Sequence, residues 1–503
     1  MALSIIAGQA LIVFGVCIAI KFRTSISNAI NKIISIVIRF HLSRRYPVHH
    51  VDNTPLPTLP YQWPDSQGDG AKFLQGQSNS ERWEKQLGPI YRLWSGMNPE
   101  VVLTRPEHIQ AVFKDSHKHI KAKNNNSGHF LGQLLGQCVG LVSQDQWIRV
   151  RAIMEKPFHR SASTAYIPLI RRRTQSFFQE LWDTRDISRG LLNPADDLKL
   201  LPFLIVAEIV YGRLAPEIEN ELRALAPQRE NLMKYVMKGG LARFAWSQYL
   251  PTQANRELAT FQQRWLAFNE RALASALDQG LHDAPIVDFF AARDAGALST
   301  AELLHTLDEM LYANLDVTIG GVSWNVVFLA AHRATAAQLR QEIADADDLD
   351  AYILANSTLL AACAEEAARL RPLAAFSVPQ AIPTARSVGG YHFPAGTNFV
   401  VDAYALNVRD PYWGDRRYEY RPERFRARSP TQARYHFWRF GFGPRQCMGR
   451  FVAGSVIREI LVHLVENYDL GMICEETMEA WGRDPEVWIN HPDMQVRCVK
   501  RVE

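Results

Sequence analysis

Five residues near the C-terminal end carry the strongest chemical signal: Phe440, Gly443, Arg445, Cys447 and Gly449, in the spacing FxxGxRxCxG. At ordinary residue composition such a match arises on the order of once in ten thousand chains of this length. A cysteine thiolate is the form that binds metals. As an axial ligand to haem iron it pushes electron density onto the metal and favours O–O cleavage. The neighbouring residues suit that task. Gly443 and Gly449 let the backbone bend and come close to a porphyrin. Backbone N–H groups after Cys447 can point at the sulfur, while the following helix presents its positive end to it. Arg445 is placed to pair with a haem propionate, and Phe440 to keep water from the sulfur. The bland alternative is a buried, inert loop cysteine ahead of a helix, which the full pattern outweighs.

Three further segments stand in a telling order: "DQWIRVR" with Trp147 and Arg151, "EAAR" with Glu366 and Arg369, and "RPERF" with Arg424. An i,i+3 Glu–Arg pair alone is an ordinary helix-surface feature; the weight comes from the succession ending at Cys447. With that order, the chain resembles the cytochrome P-450 family over nearly its whole length. The resemblance implies a mainly α fold with a minor β region. Haem b would lie between a long central helix and the Cys loop with the last helix. It further implies Cys447 as the axial ligand to iron, and Trp147 and Arg151 facing a propionate. Glu366, Arg369 and Arg424 would form a buried ionic triad that braces the haem loop. Such a network is costly to bury unless complete, so its role is structural and not catalytic.

The chain departs from the family at the oxygen-activation motif. In place of AGx(D/E)T(T/S) it reads Ala313, Asn314, Leu315, Asp316, Val317, Thr318. Asp316 matches, but Val317 stands where the proton-delivering Thr is usual, and Val offers no hydroxyl. Three readings stay open. Thr318 or Asn314 substitutes through a shifted helix bulge, a feature common at functional sites. A polar group of the substrate holds the water instead. Or the chemistry is coupling, dehydrogenation or rearrangement. A monooxygenase (oxidising, coupling or desaturating a hydrophobic molecule) is favoured over a haem-thiolate isomerase or dehydratase that consumes no dioxygen. A non-catalytic haem sensor would also keep Cys447.

By resemblance the pocket draws on the loop from Phe130 to Leu141, on Ala313 and Val317, and on Ala374 to Val378, including Phe376 and Val378. These are apolar residues with few polar anchors, which suits a hydrophobic or moderately polar small molecule; the resemblance implies a natural-product intermediate of fungal type. No GxGxxG opens a helix after a strand, so electrons come from an NADPH-dependent cytochrome reductase, with cytochrome b5 as an alternative donor. Arg149, Lys156, Arg160, Arg450 and Arg458 offer a basic landing face for an acidic partner.

The elements that must position these residues are partly legible. The chain has 503 residues with 47% hydrophobic and 21% charged residues, and a formal charge of +4. That balance argues against a general nucleic-acid binder, and a monomer is the default. The six cysteines are far apart, without CxxC spacing, as expected of reduced thiols. Ala2 to Ile20 is uncharged and followed by Lys21 and Arg23. It reads as a single-pass anchor in the endoplasmic reticulum membrane, with the body cytoplasmic. The expected division is therefore residues 1–24 anchor, 25–65 interfacial segment and Pro-rich linker, and 66–503 haem-binding catalytic domain. Within that body the pattern predicts a hairpin, Ile90–Trp94 with Glu100–Thr104, and a helix from Pro106 to Asp115. A roughly 50 Å helix runs from Ser299 to about His332, opened by a Ser299/Glu302 capping box. A helix over Ala351 to Arg371 stops at Pro372; strand and turn chemistry runs through to Leu406. The last helix follows Gly449.

Overall fold

The structure, a computed structural model, describes residues 25, 27–184, 186–427, 433–474, 477–478 and 480–501. The anchor expected over residues 1–24 lies outside them. Helices dominate, with strands gathered in three small sheets. The largest sheet has five strands. Ile90–Ser95 pairs antiparallel with Asn98–Leu103, in register Ile90 to Leu103. Asn98–Leu103 runs parallel to Asn398–Val401, which pairs with Gln380–Ala381 and so reaches Ile120–Lys121. The predicted hairpin is therefore present, its turn carried by Gly96 at φ 57°.

The Pro-rich stretch is built into this sheet and does not stand free of it. Leu59 N–H donates to Arg92 O, and Arg92 N–H to Pro57 O. Leu56, Leu59 and Tyr61 are buried. Ahead of it, residues 27–45 are helical with Ile30, Ile33, Ile36, Val37 and Phe40 exposed.

The long helix is the axis of the main core. It runs Thr300–Ala313, then one π-helical turn Asn314–Thr318, then Ile319–Ala331. Ser299 and Glu302 form the predicted capping box. This is the one helix among the described residues long and apolar enough to cross a membrane, and it is mostly buried inside the protein. Its second half lies against the last helix, Arg450–Asn467. A Cβ on Gly321 would come within 3.2 Å of the Ile457 side chain, so glycine sets that close approach.

Two predicted elements differ. The helix expected from Ala351 to Arg371 is two helices, Leu349–Leu354 and Leu359–Leu370. The break follows from polar side chains that compete with the helix: Thr358 Oγ1 accepts from Ala361 N–H and caps the second helix, and Asn356 Oδ1 accepts from Arg458. Strand structure also ends earlier than Leu406. Asp402 Oδ1 accepts from Ala405 N–H, and the backbone is helical from Ala403.

Candidate functional site

Cys447 sits in a short loop whose shape depends on two left-handed glycines, Gly441 at φ 82° and Gly443 at φ 67°. A Cβ on Gly443 would also lie 2.8 Å from Ser116 Oγ; that hydroxyl donates to Phe442 O at 3.0 Å. Cys447 N–H donates to Phe440 O at 2.9 Å, closing the loop. Cys447 is exposed as a residue; the protein packed round its sulfur, with Glu309, pushes the thiol up, while the Gly449 N–H directed at the sulfur and the nearby Arg151 and Arg450 pull it down. The loop leads directly into the 18-residue helix Arg450–Asn467, whose positive end faces the sulfur.

The loop is held from below by the triad. Glu366 accepts from Arg369 Nε at 2.7 Å and Nη2 at 2.9 Å, and from Arg424 Nε at 2.9 Å. Arg369 Nη1 donates to Asn407 O, and the Asn407 side chain holds both backbone groups of Trp438, two residues ahead of Phe440. The chain of contacts thus runs from a fully buried ion pair to the segment that leads into the Cys447 loop.

Beside the loop, cations outnumber anions. Arg445 stacks over Trp147 at 4.6 Å and Arg151 over the same ring at 5.4 Å. Arg445 Nη2 donates to Val142 O and Arg151 Nη1 to Gln446 O. Lys121, which sequence reasoning missed, completes the group. Burial, then the Arg445 charge, push its ammonium down to about 7. Burial, then Arg151, push Arg445 down to about 10. Arg445 Nη1 is buried without a hydrogen-bond partner among the described residues. Two carboxylates lie nearby: Glu309 already accepts Gly140 N–H at 2.9 Å, and Glu155 accepts from Arg151 Nε at 2.5 Å. A cluster of this sign, with an orphaned donor, fits a ligand bearing two carboxylates, as haem b does. No sequence signal marks Lys121, because its partners lie far along the chain.

The π turn of the long helix supplies the motif residues. Thr318 Oγ1 donates to Asn314 Oδ1 at 2.7 Å, and Asn314 Nδ2 to Met310 O at 2.6 Å. Asp316 Oδ2 accepts from Trp488 Nε1 at 2.7 Å. Ala313 and Val317 are half-buried on the same turn. The loop after Phe130 hangs on this helix through His305, Thr306 and Glu309; Phe130, Leu134 and Val139 are buried in the main core, with Leu135 partly so. Val378 is half-buried.

Two expectations are not met. Phe376 is packed on Trp83, ring centroids 5.6 Å apart, within a cluster on the sheet. The chain there runs so close to the helix Gly76–Leu87 that a Cβ on Gly76 would meet Ala375 at 2.4 Å. Arg458 does not join a basic face: it is buried and donates to Ile353 O and Ala355 O. Arg149 is exposed but paired with Glu302 at 2.6 Å, whereas Lys156 and Arg160 remain on the surface.

Fold and site together define a haem-thiolate protein, and the comparisons agree. The family model "Cytochrome P450" matches residues 69–494, so the chain belongs to the cytochrome P450 family. It is 53% identical to cytochrome P450 monooxygenase aclC of Aspergillus oryzae, over 92% of this chain and 95% of that one. It is 47% identical to cytochrome P450 monooxygenase asaD of Aspergillus flavus, over 97% and 95%. With gliC of Aspergillus fumigatus, also a cytochrome P450 monooxygenase, identity is 38% over 93% of each. The protein is an oxidoreductase of the monooxygenase class with haem as its cofactor.

Proposed function

We propose that this chain is a membrane-anchored haem-thiolate monooxygenase of fungal secondary metabolism. It draws electrons from an NADPH-dependent reductase and hydroxylates, couples or desaturates a hydrophobic intermediate. The observation that carries the reading is the convergence on Cys447: a sulfur at a helix start, beside three cations and an orphaned donor. Haem b bound there supplies the activation of dioxygen. Cys447 would be its ligand and Arg445, Arg151 and Lys121 would hold its carboxylates, with Trp147 fixing the two guanidiniums by stacking. Gly443 and Gly449 keep the loop close, and Phe440 covers it. On the other side, Thr318 and Asn314 replace the missing hydroxyl at Val317: the π turn brings the two side chains into one hydrogen bond, and Asp316 provides the acid. Ala313, Val317, Phe130 and Val378 give the pocket its apolar character.

The membrane reading is supported by a second apolar surface. Leu241, Trp246, Tyr249 and Leu250 are exposed, and the stack Trp63–Phe244–Trp246 ties them to the helix of residues 27–45 through Ser35, whose hydroxyl accepts Trp63 N–H. Aromatic and aliphatic groups of this kind suit a lipid interface.

The test is reconstitution of the full chain with a cytochrome reductase and a panel of hydrophobic small molecules. The expected result is product that depends on both NADPH and dioxygen. Conversion that proceeds without either would favour the isomerase reading instead.

A further inference from the structure

The acid of the π turn is held by a segment far along the chain, and that segment has no part in the motifs above. Trp488 Nε1 donates to Asp316 Oδ2 at 2.7 Å, and His491 Nε2 lies 2.6 Å from Asp316 O. A carbonyl only accepts, so His491 carries its proton on Nε2. Burial pushes this imidazole down, with Asp316 opposing and Lys199 and Asp484 the other charges facing it. A side-chain oxygen and the main-chain oxygen of one residue are therefore gripped by two rings three positions apart.

The gripping segment is itself fixed. Trp324 Nε1, on the long helix, donates to Asn490 O at 2.8 Å, and Asn490 Nδ2 donates to Tyr404 Oη at 2.8 Å. Arg483 donates to Phe73 O and Leu74 O, and Trp488 meets Phe73 edge-on at 5.9 Å. The long helix makes room for the contact. A Cβ on Gly320 would lie 2.9 Å from His491 Cδ2, so only glycine lets the imidazole lie against the helix there.

We infer that Trp488 and His491 are positioning residues for proton delivery: they clamp Asp316 and the π turn so that one carboxylate oxygen stays tied and the other is left to handle a proton. The catalytic consequence rests on the monooxygenase reading; the geometry does not. The balance at stake is R–H + O2 + 2 e− + 2 H+ giving R–OH + H2O, with the electrons from the reductase. When proton delivery is misdirected, O2 + 2 e− + 2 H+ leaves as hydrogen peroxide and the substrate is untouched.

Three variants separate positioning from mere packing. Trp488→Phe keeps a ring against Phe73 but removes the donor. His491→Leu removes the other donor, and His491→Gln restores one. The expected result for Trp488→Phe and His491→Leu is a rise in peroxide relative to product on the order of tenfold, the size of one lost hydrogen bond. It comes with a larger solvent isotope effect on turnover and an unchanged carbon monoxide spectrum; His491→Gln restores the wild-type ratio. A second readout needs no turnover. In 15N-tryptophan-labelled ferrous carbon monoxide protein, the indole resonance that disappears in Trp488→Phe shifts in Asp316→Asn. Wild-type peroxide ratios in both donor-less variants, or an indole resonance indifferent to Asp316→Asn, overturn the inference. If the wild-type chain consumes no NADPH with any substrate, the monooxygenase reading falls, and the indole shift alone decides the clamp.

Discussion

Replacing Glu366 with Gln removes one negative charge from a site that keeps two guanidiniums out of water. The Glu366 and Arg369 side chains are both 0% exposed, and Arg424 is 9% exposed. Glu366 accepts from Arg369 Nε and Nη2, from Arg424 Nε, and from Arg421 N–H at 2.9 Å. In Gln one of the accepting oxygens becomes an amide donor, so at least one of these bonds turns into a donor–donor contact. Breaking a buried pair by removing one partner costs about 3–5 kcal/mol, a large share of the roughly 5–15 kcal/mol that holds a folded domain. At about 2 cal/mol/K of unfolding entropy per residue, a chain of this length loses on the order of 3–5 °C of melting temperature. The assay is thermal unfolding followed in parallel by haem absorbance and circular dichroism, with haem content measured after gel filtration. Because the triad reaches Trp438 through Asn407, haem is expected to be lost at or below the temperature where helix is lost. Arg369→Lys keeps the charge but not the planar fork, and is expected to fall most of the way with Glu366→Gln. A Glu366→Gln protein that melts within about 1 °C of wild type with full haem content would refute the bracing role.

Other outcomes follow from the site. Lys121 has its ammonium pushed down to about 7, from an ordinary value near 10. A bound carboxylate pair raises it again, so haem binding takes up a proton. Haem affinity is then expected to fall as pH rises above about 7, by at most about tenfold per pH unit, and Lys121→Met should flatten that dependence in a haem-titration series. Sign and stability agree: below about 7 the cation is present in folded and unfolded chains alike, and between there and its unfolded value the folded apoprotein gains stability with pH. Thr318→Val should lower product per NADPH by roughly 10- to 100-fold while leaving substrate binding spectra intact, because the hydroxyl bonded to Asn314 is lost. Val317→Thr should change that ratio little. A Thr318→Val protein that keeps the wild-type ratio would show that the relay does not run through position 318.

What was legible in the sequence is what local chemistry dictates. The Cys447 loop, its glycines and the helix after it are contiguous because a metal ligand and its N–H donors must be. The Ser299/Glu302 capping box and the Ile90 hairpin depend on neighbours within a few residues, and a helix bulge was one of the three readings that Asn314 and Val317 left open. What was hidden depends on tertiary approach. Lys121 and Glu309 approach Arg445 across more than a hundred residues each, and His491 reaches the long helix only because Gly320 lets it. Thr358 and Asn356 broke a helix whose apolar periodicity continued through them. Arg458 looked like a surface charge until its carbonyl partners were in place.

The most direct test of the central claim is the difference spectrum of the reduced, carbon monoxide-bound protein, for wild type beside Cys447→Ala. The account predicts the far red-shifted Soret band of thiolate ligation in wild type and its loss in the variant. A haem-loaded, well-folded wild type without that band, or a Cys447→Ala protein that keeps it, would contradict the assignment of Cys447 as the haem ligand.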